Sequence, residues 1–215
     1  MKKNTVRFAN IISYLLHPLF MPCSGILYLY YSGKLSGFNR YSSTEQNIDN
    51  VLVITTVFFF TLLVPVIVAF LLKITGQIES LQMKSKEERY IPFTVTSTGI
   101  LLSIILLYGY TNIYIHPVIK VFYIGCFLSV FLSLVITFQW KISIHMVGIG
   151  GFTGAIFLLN SINDTVSPNL FELGVCLILA GIVAFSRLSL KVHSMSQVIV
   201  GFLLGFFCES FFLWM

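Results

Sequence analysis

Long apolar runs dominate this sequence, and their lengths restrict the fold more than any other feature. Seven can be marked, at residues 8–31, 51–72, 93–110, 118–139, 145–160, 170–186 and 196–214. A helix needs about 20 mostly apolar residues to cross the hydrocarbon of a bilayer. Most of the runs reach that length, the fifth being the shortest, and one soluble core cannot take up so many. Composition agrees: 57% of the residues are hydrophobic and 10% charged, against roughly 25% charged in a soluble domain. The expectation is an all-α protein, a polytopic transmembrane helix bundle with all seven runs as candidate crossings, residues 1–215 forming one integral membrane domain.

The basic N-terminus "MKKNTVRFAN" leads into a long apolar stretch with no small-residue cleavage site, so it reads as a retained first span. His17-Pro18 and Met21-Pro22 are expected to kink that span, with His17 tied up beside the kink. Cys23, Cys126, Cys176 and Cys208 each sit inside an apolar run, and no metal-ligand spacing or disulfide framework is visible. Gly150 and Gly154 have the spacing of close helix packing.

Scarce polar residues gather in three clusters: "QMKSKEERYIPF" (82–93), "WKISIHMVGIGG" (140–151) and "SRLSLKVH" (186–193). Two crossings separate each cluster from the next, so all three return to one membrane face. Ionisable groups at membrane depth are costly and by default mark a site. The same parity places the N-terminus there, with Lys2, Lys3, Arg7, Lys73, Lys84, Lys86, Arg89, Lys141, Arg187 and Lys191. Only Lys34, Arg40 and Lys120 belong to the other side. By the positive-inside rule the cluster face is cytoplasmic, in a bacterial inner membrane. The basic residues lie at membrane edges without exposed aromatics between them, which argues against nucleic acid as a partner.

The clusters combine His145 and His193 with the cations Lys84, Lys86, Arg89 and Arg187 and the hydroxyls of Ser143 and Ser186. Carboxylates are nearly absent there apart from Glu87 and Glu88, which are expected to balance the neighbouring lysines. Such a set suits an anion with several oxygens: an arginine fork binds two of them and a lysine acts as a point charge. Two histidines beside a phosphate can divide nucleophile and general acid between them. A prenyl transferase would need paired aspartates for magnesium diphosphate, and only Asn163-Asp164 is available, on the opposite side.

Ser186-Arg187, five residues, His193, three residues and Gln197 resemble the third signature of the type 2 phosphatidic acid phosphatase superfamily, which ends in Asp where this chain has Gln197. "ISIH" (142–145) is similar to the second, with Ser143 and His145 kept and Ile142 and Ile144 replacing Pro and Gly. "KSKEERYIP" (84–92) is similar to the first, with Lys84 and Pro92 in place and the arginine two positions early at Arg89. The resemblance implies a metal-independent lipid phosphatase with no cofactor, acting on a phospholipid or a polyprenyl phosphate. It implies that His193 attacks phosphorus, that His145 protonates the leaving alcohol, and that Lys84, Arg89, Arg187 and Ser143 hold the phosphate oxygens, with Lys86 an understudy for Lys84. Gln197 would orient His193, accepting its ring proton without adding a negative charge. A lipid-phosphate binder or transporter without turnover is the alternative on the same scaffold.

Overall fold

The computed structural model describes residues 3–32, 43–83, 85–109, 113, 115–162 and 170–211, with side chains except at 43–47 and 162. Lys84 and the Asn163-Asp164 pair lie outside the described residues. The helices are α1 (Lys3–Leu15), α2 (Met21–Tyr31), α3 (Ser43–Phe58), α4 (Val64–Ile74), α5 (Tyr90–Gly109), α6 (Pro117–Gln139), α7 (Ile144–Ile162), α8 (Leu170–Ser189) and α9 (Met195–Ser210). α1 with α2, and α3 with α4, each form one broken span. Among the described residues six spans are long and apolar enough to cross a membrane, and α9 is a shorter apolar helix beside them. Large hydrophobic side chains such as Phe70, Ile105, Phe138, Ile178 and Phe207 cover the outside of the bundle. The chain is a multi-pass membrane protein.

Both breaks follow from proline. A residue before proline is pushed out of the helical region, and His17 stands at φ −70°, ψ 135°. The chain makes one tight turn over Pro18–Phe20 before α2 begins. In the second span Pro65 has no N–H for the carbonyl of Thr61, and the helix widens into a π-turn over Phe59–Leu63. Thr61, fully buried there, donates its hydroxyl to the Val57 carbonyl at 2.8 Å.

α7 and α9 run parallel with their backbones in contact. A Cβ on Gly150 would collide with the carbonyl of Phe202, and one on Gly205 with the carbonyl of Val147. The small-residue spacing of Gly150 and Gly154 therefore does what the sequence suggests, with Gly154 meeting Phe206 of α9. This close approach sets the start of α7, with His145, beside the start of α9, with His193 and Gln197. At the far end Tyr28 donates to the Glu172 carboxylate at 2.6 Å, which ties the end of the first span to the start of α8. The first span therefore runs the length of the bundle. The N-terminus and the loops before α5, α7 and α9 share one end.

Candidate functional site

At that end, three loops bring their polar clusters together. Arg89 closes a short turn (Glu87–Arg89) before α5. Its Nε donates to the Met83 carbonyl and its Nη1 to the Ile142 carbonyl, both at 3.0 Å. The guanidinium thus stitches the first cluster to the second. Arg187 lies in the last turn of α8, only 6% exposed, and its buried Nε has no protein partner. Glu88 accepts the backbone N–H groups of Glu79 at 2.6 Å and Ser85 at 3.3 Å, and its charge also acts on Arg89 and Lys141. It holds the loop together, where the sequence suggested a partner for lysine. Among the described residues neither buried guanidinium has a carboxylate hydrogen-bonded to it, and burial raises the cost of such a charge, so the pair can hold an anion.

His193 is oriented by the start of α9. Ser194 caps that helix, its Oγ accepting the Gln197 N–H at 3.4 Å while Gln197 Oε1 accepts the Ser194 N–H at 3.2 Å. This is a capping box. The same Oε1 stands 3.0 Å from His193 Nδ1. An atom that accepts the Ser194 N–H is the amide oxygen, so Nδ1 carries the ring proton and Nε2 keeps its lone pair. Burial pushes the His193 pKa down to about 3, and the Arg89 charge adds to it, with further help from Arg187 and Lys141, against the opposing effect of the Gln197 bond. The ring is a neutral imidazole with its basic nitrogen fixed. Lys141, in the same loop as Ser143, is also held below its ordinary pKa by partial burial and by the charges of Arg89 and Arg187.

A fourth element enters from α1. The Oγ of Ser13 accepts from Arg187 Nη1 at 2.9 Å and lies 2.8 Å from the Ser186 hydroxyl. The Ser13 carbonyl accepts from His145 Nε2 at 3.1 Å. His17, past the end of α1, sits edge-on to His145 with ring centroids 5.3 Å apart. Its Nδ1 also accepts the Leu19 N–H at 3.4 Å, so it is tied to the kink and belongs to the site as well. α1 ends at Leu15 and His17 stands in extended backbone, so it is the break after the helix, not a helical spacing, that brings His17 to His145.

His193, His145, Arg89 and Arg187 line one end of a cavity of about 630 Å³. Tyr14, Phe20, Val66 and Phe70 line it too and are exposed on the bundle surface. The cavity therefore reaches the lipid-facing side between the first and second spans. Its inner end holds Glu209 of α9, only 2% exposed, a carboxylate the sequence reading did not weigh although it stands alone in an apolar helix.

Not every expected site residue meets the cavity. Lys86 turns outward and donates to the Phe138 carbonyl at 3.0 Å, capping the end of α6. That corrects its reading as a stand-in for Lys84. Ser186 ties α8 to α1 by donating to the Ala9 carbonyl at 2.7 Å. Ser143 is fully buried behind the cavity wall, its Oγ without a partner, against Gly201 of α9. No family model, curated protein or solved structure matches the chain.

Proposed function

We propose that this protein is a metal-independent membrane lipid phosphatase that works through a phosphohistidine. One observation carries the reading. A neutral histidine with its Nδ1 anchored on Gln197 opens, beside two buried arginines, onto a cavity that continues into apolar surroundings. That pairing suits a molecule with a phosphate head and a hydrocarbon body. His193 Nε2 would attack phosphorus and the P–O bond to the lipid would break. His145, doubly protonated once the phosphate dianion is bound, would keep its Nε2–H on the Ser13 carbonyl and give its second ring proton to the leaving alkoxide, becoming neutral. Water, deprotonated by His145, would then attack the phosphohistidine, releasing phosphate and restoring both rings. Arg89 and Arg187 would stabilise the charge gathering on the oxygens. The positive-inside count supports a cytoplasmic face for the site, and the reading takes the membrane to be a bacterial inner membrane.

A second reading, binding or transport without turnover, draws on the hold that Ser13 has on His145 and Arg187, and on Gln197 where a carboxylate would strengthen the imidazole. A phosphate-release screen separates the two. Purified protein in nanodiscs is given phosphatidic acid, phosphatidylglycerophosphate, a polyprenyl diphosphate and a lipid A phosphate. Release from any of them supports the phosphatase. Binding without release supports the alternative.

A further inference from the structure

The inner end of the cavity is not simply greasy. Glu209 is buried among three close helices, and room for it is cleared by glycine. A Cβ on Gly125 of α6 would run into its Oε2, and one on Gly151 of α7 would touch its Cγ at 3.4 Å. The Cys126 thiol lies beside the carboxyl, and Oε2, fully buried, has no hydrogen-bond partner. Ser129 and Thr96 line the same cavity. A lone carboxyl at membrane depth is costly and marks function by default. Its depth can be read from α7. Gly151 is six residues beyond His145, or about 9 Å at 1.5 Å per residue.

We propose that Glu209 is a second recognition point, at which the cavity takes the ester-bearing backbone of an acyl lipid. This rests on the phosphatase reading for where the head lies. In a diacyl lipid phosphate the ester oxygens stand a few bonds from phosphorus and can accept a hydrogen bond from the protonated Glu209 carboxyl at that depth. A polyprenyl chain offers only carbon there and would leave Oε2 unpaired. The cavity should therefore select glycerolipid phosphates over polyprenyl ones.

Two measurements on the full-length protein in detergent test this. The first is the shift in Tm caused by diacylglycerol and by polyprenol, probes without phosphate. The second is kcat/KM for phosphatidic acid and for a polyprenyl phosphate. Wild type should be stabilised by diacylglycerol and not by polyprenol. Glu209→Gln, which keeps a polar group in place, should retain that response. Glu209→Leu should lose it, and should lower kcat/KM about tenfold on phosphatidic acid while changing the polyprenyl substrate less than twofold. If Glu209→Leu does not fold, Gly125→Ala, which crowds Oε2, should weaken the diacylglycerol response in its place. No response of wild type to diacylglycerol, or equal losses on both lipid classes, overturns the proposal. Failure of the phosphatase reading alone would show differently: no phosphate release, with the diacylglycerol response and its dependence on residue 209 intact.

Discussion

Replacing Gln197 with leucine removes one oxygen that does two things. Oε1 accepts the Ser194 N–H at 3.2 Å and faces His193 Nδ1 at 3.0 Å. Losing its half of the capping box should cost about 1 kcal/mol of stability. Leaving the buried Nδ1–H without an acceptor costs about 1–3 kcal/mol, and it frees the ring to exchange tautomers, so that Nε2 no longer reliably presents its lone pair. If that penalty falls on the reacting state, kcat/KM drops roughly 5- to 150-fold at 1.4 kcal/mol per decade. Ser194→Ala is the control, since it removes the other half of the box and leaves the His193–Gln197 pair. It should lower Tm like Gln197→Leu and leave the rate within about twofold. Gln197→Asp and Gln197→Glu should each hold or raise the rate, and Glu keeps the reach of the native side chain. With a carboxylate on Nδ1 the imidazolium is stabilised and the His193 pKa rises from about 3. Protonation silences the nucleophile, so the acid limb of the rate, below pH 4 in wild type, should move up in the Glu variant. The assay is phosphate release from lipid in nanodiscs between pH 4 and 8. Full activity in Gln197→Leu, or an acid limb that stays put in Gln197→Glu, would refute the orienting role.

Three further outcomes are expected. His193→Ala should abolish turnover with circular dichroism and Tm close to wild type, because the site's other two imidazoles are committed elsewhere, His145 Nε2 to the Ser13 carbonyl and His17 Nδ1 to the Leu19 N–H; activity at wild-type level would end the phosphohistidine scheme. Phosphate release should persist in EDTA and be inhibited by vanadate, which resembles the pentacoordinate transition state, whereas loss in EDTA restored by magnesium would mark another enzyme class. For sidedness, Ser85→Cys and Thr111→Cys in a background without native cysteines should give protection at 85 and labelling at 111 with a membrane-impermeant thiol reagent on intact cells; the reverse pattern would move the site to the outer face.

The spans were legible because membrane length and apolar composition together fix them, and parity alone brought three distant clusters to one end. Contacts made by tertiary packing were less visible. Lys86 has the spacing of a phosphate ligand, yet its side chain reaches the Phe138 carbonyl at the end of α6. Nothing local to residues 82–93 indicates that carbonyl. Ser13 is an ordinary hydroxyl in an apolar stretch until α1 is laid on α8 and α7. The break after residue 16 was readable from Pro18, but not that it turns His17 towards His145. Glu209 carried a readable signal, a single carboxylate in an apolar helix, and only the glycines at 125 and 151 show what surrounds it.

Ser13 bears most directly on how the site works. Its hydroxyl accepts from Arg187 Nη1 and its carbonyl accepts from His145 Nε2. A phosphate gripped end-on, by Nη1 and Nη2, would displace the Ser13 hydroxyl from Nη1, whereas a side-on grip by the unpartnered Nε with Nη2 would leave it in place. For the end-on grip the hydroxyl is a competitor holding the place of a phosphate oxygen. A neutral acceptor on a guanidinium is weaker than an anionic one, so the exchange runs in favour of the ligand. Ser13→Ala should remove the competitor, leaving kcat/KM unchanged or raised up to about fivefold, within the roughly 1 kcal/mol of one neutral hydrogen bond. Ser13→Asp should place a fixed carboxylate on Arg187 and cut kcat/KM by at least tenfold. Both are read from initial rates over a lipid-phosphate concentration series, with Tm recorded to separate folding from binding. A tenfold or greater loss in Ser13→Ala at unchanged Tm would show that the hydroxyl holds the ligand, and the competitor argument would fall.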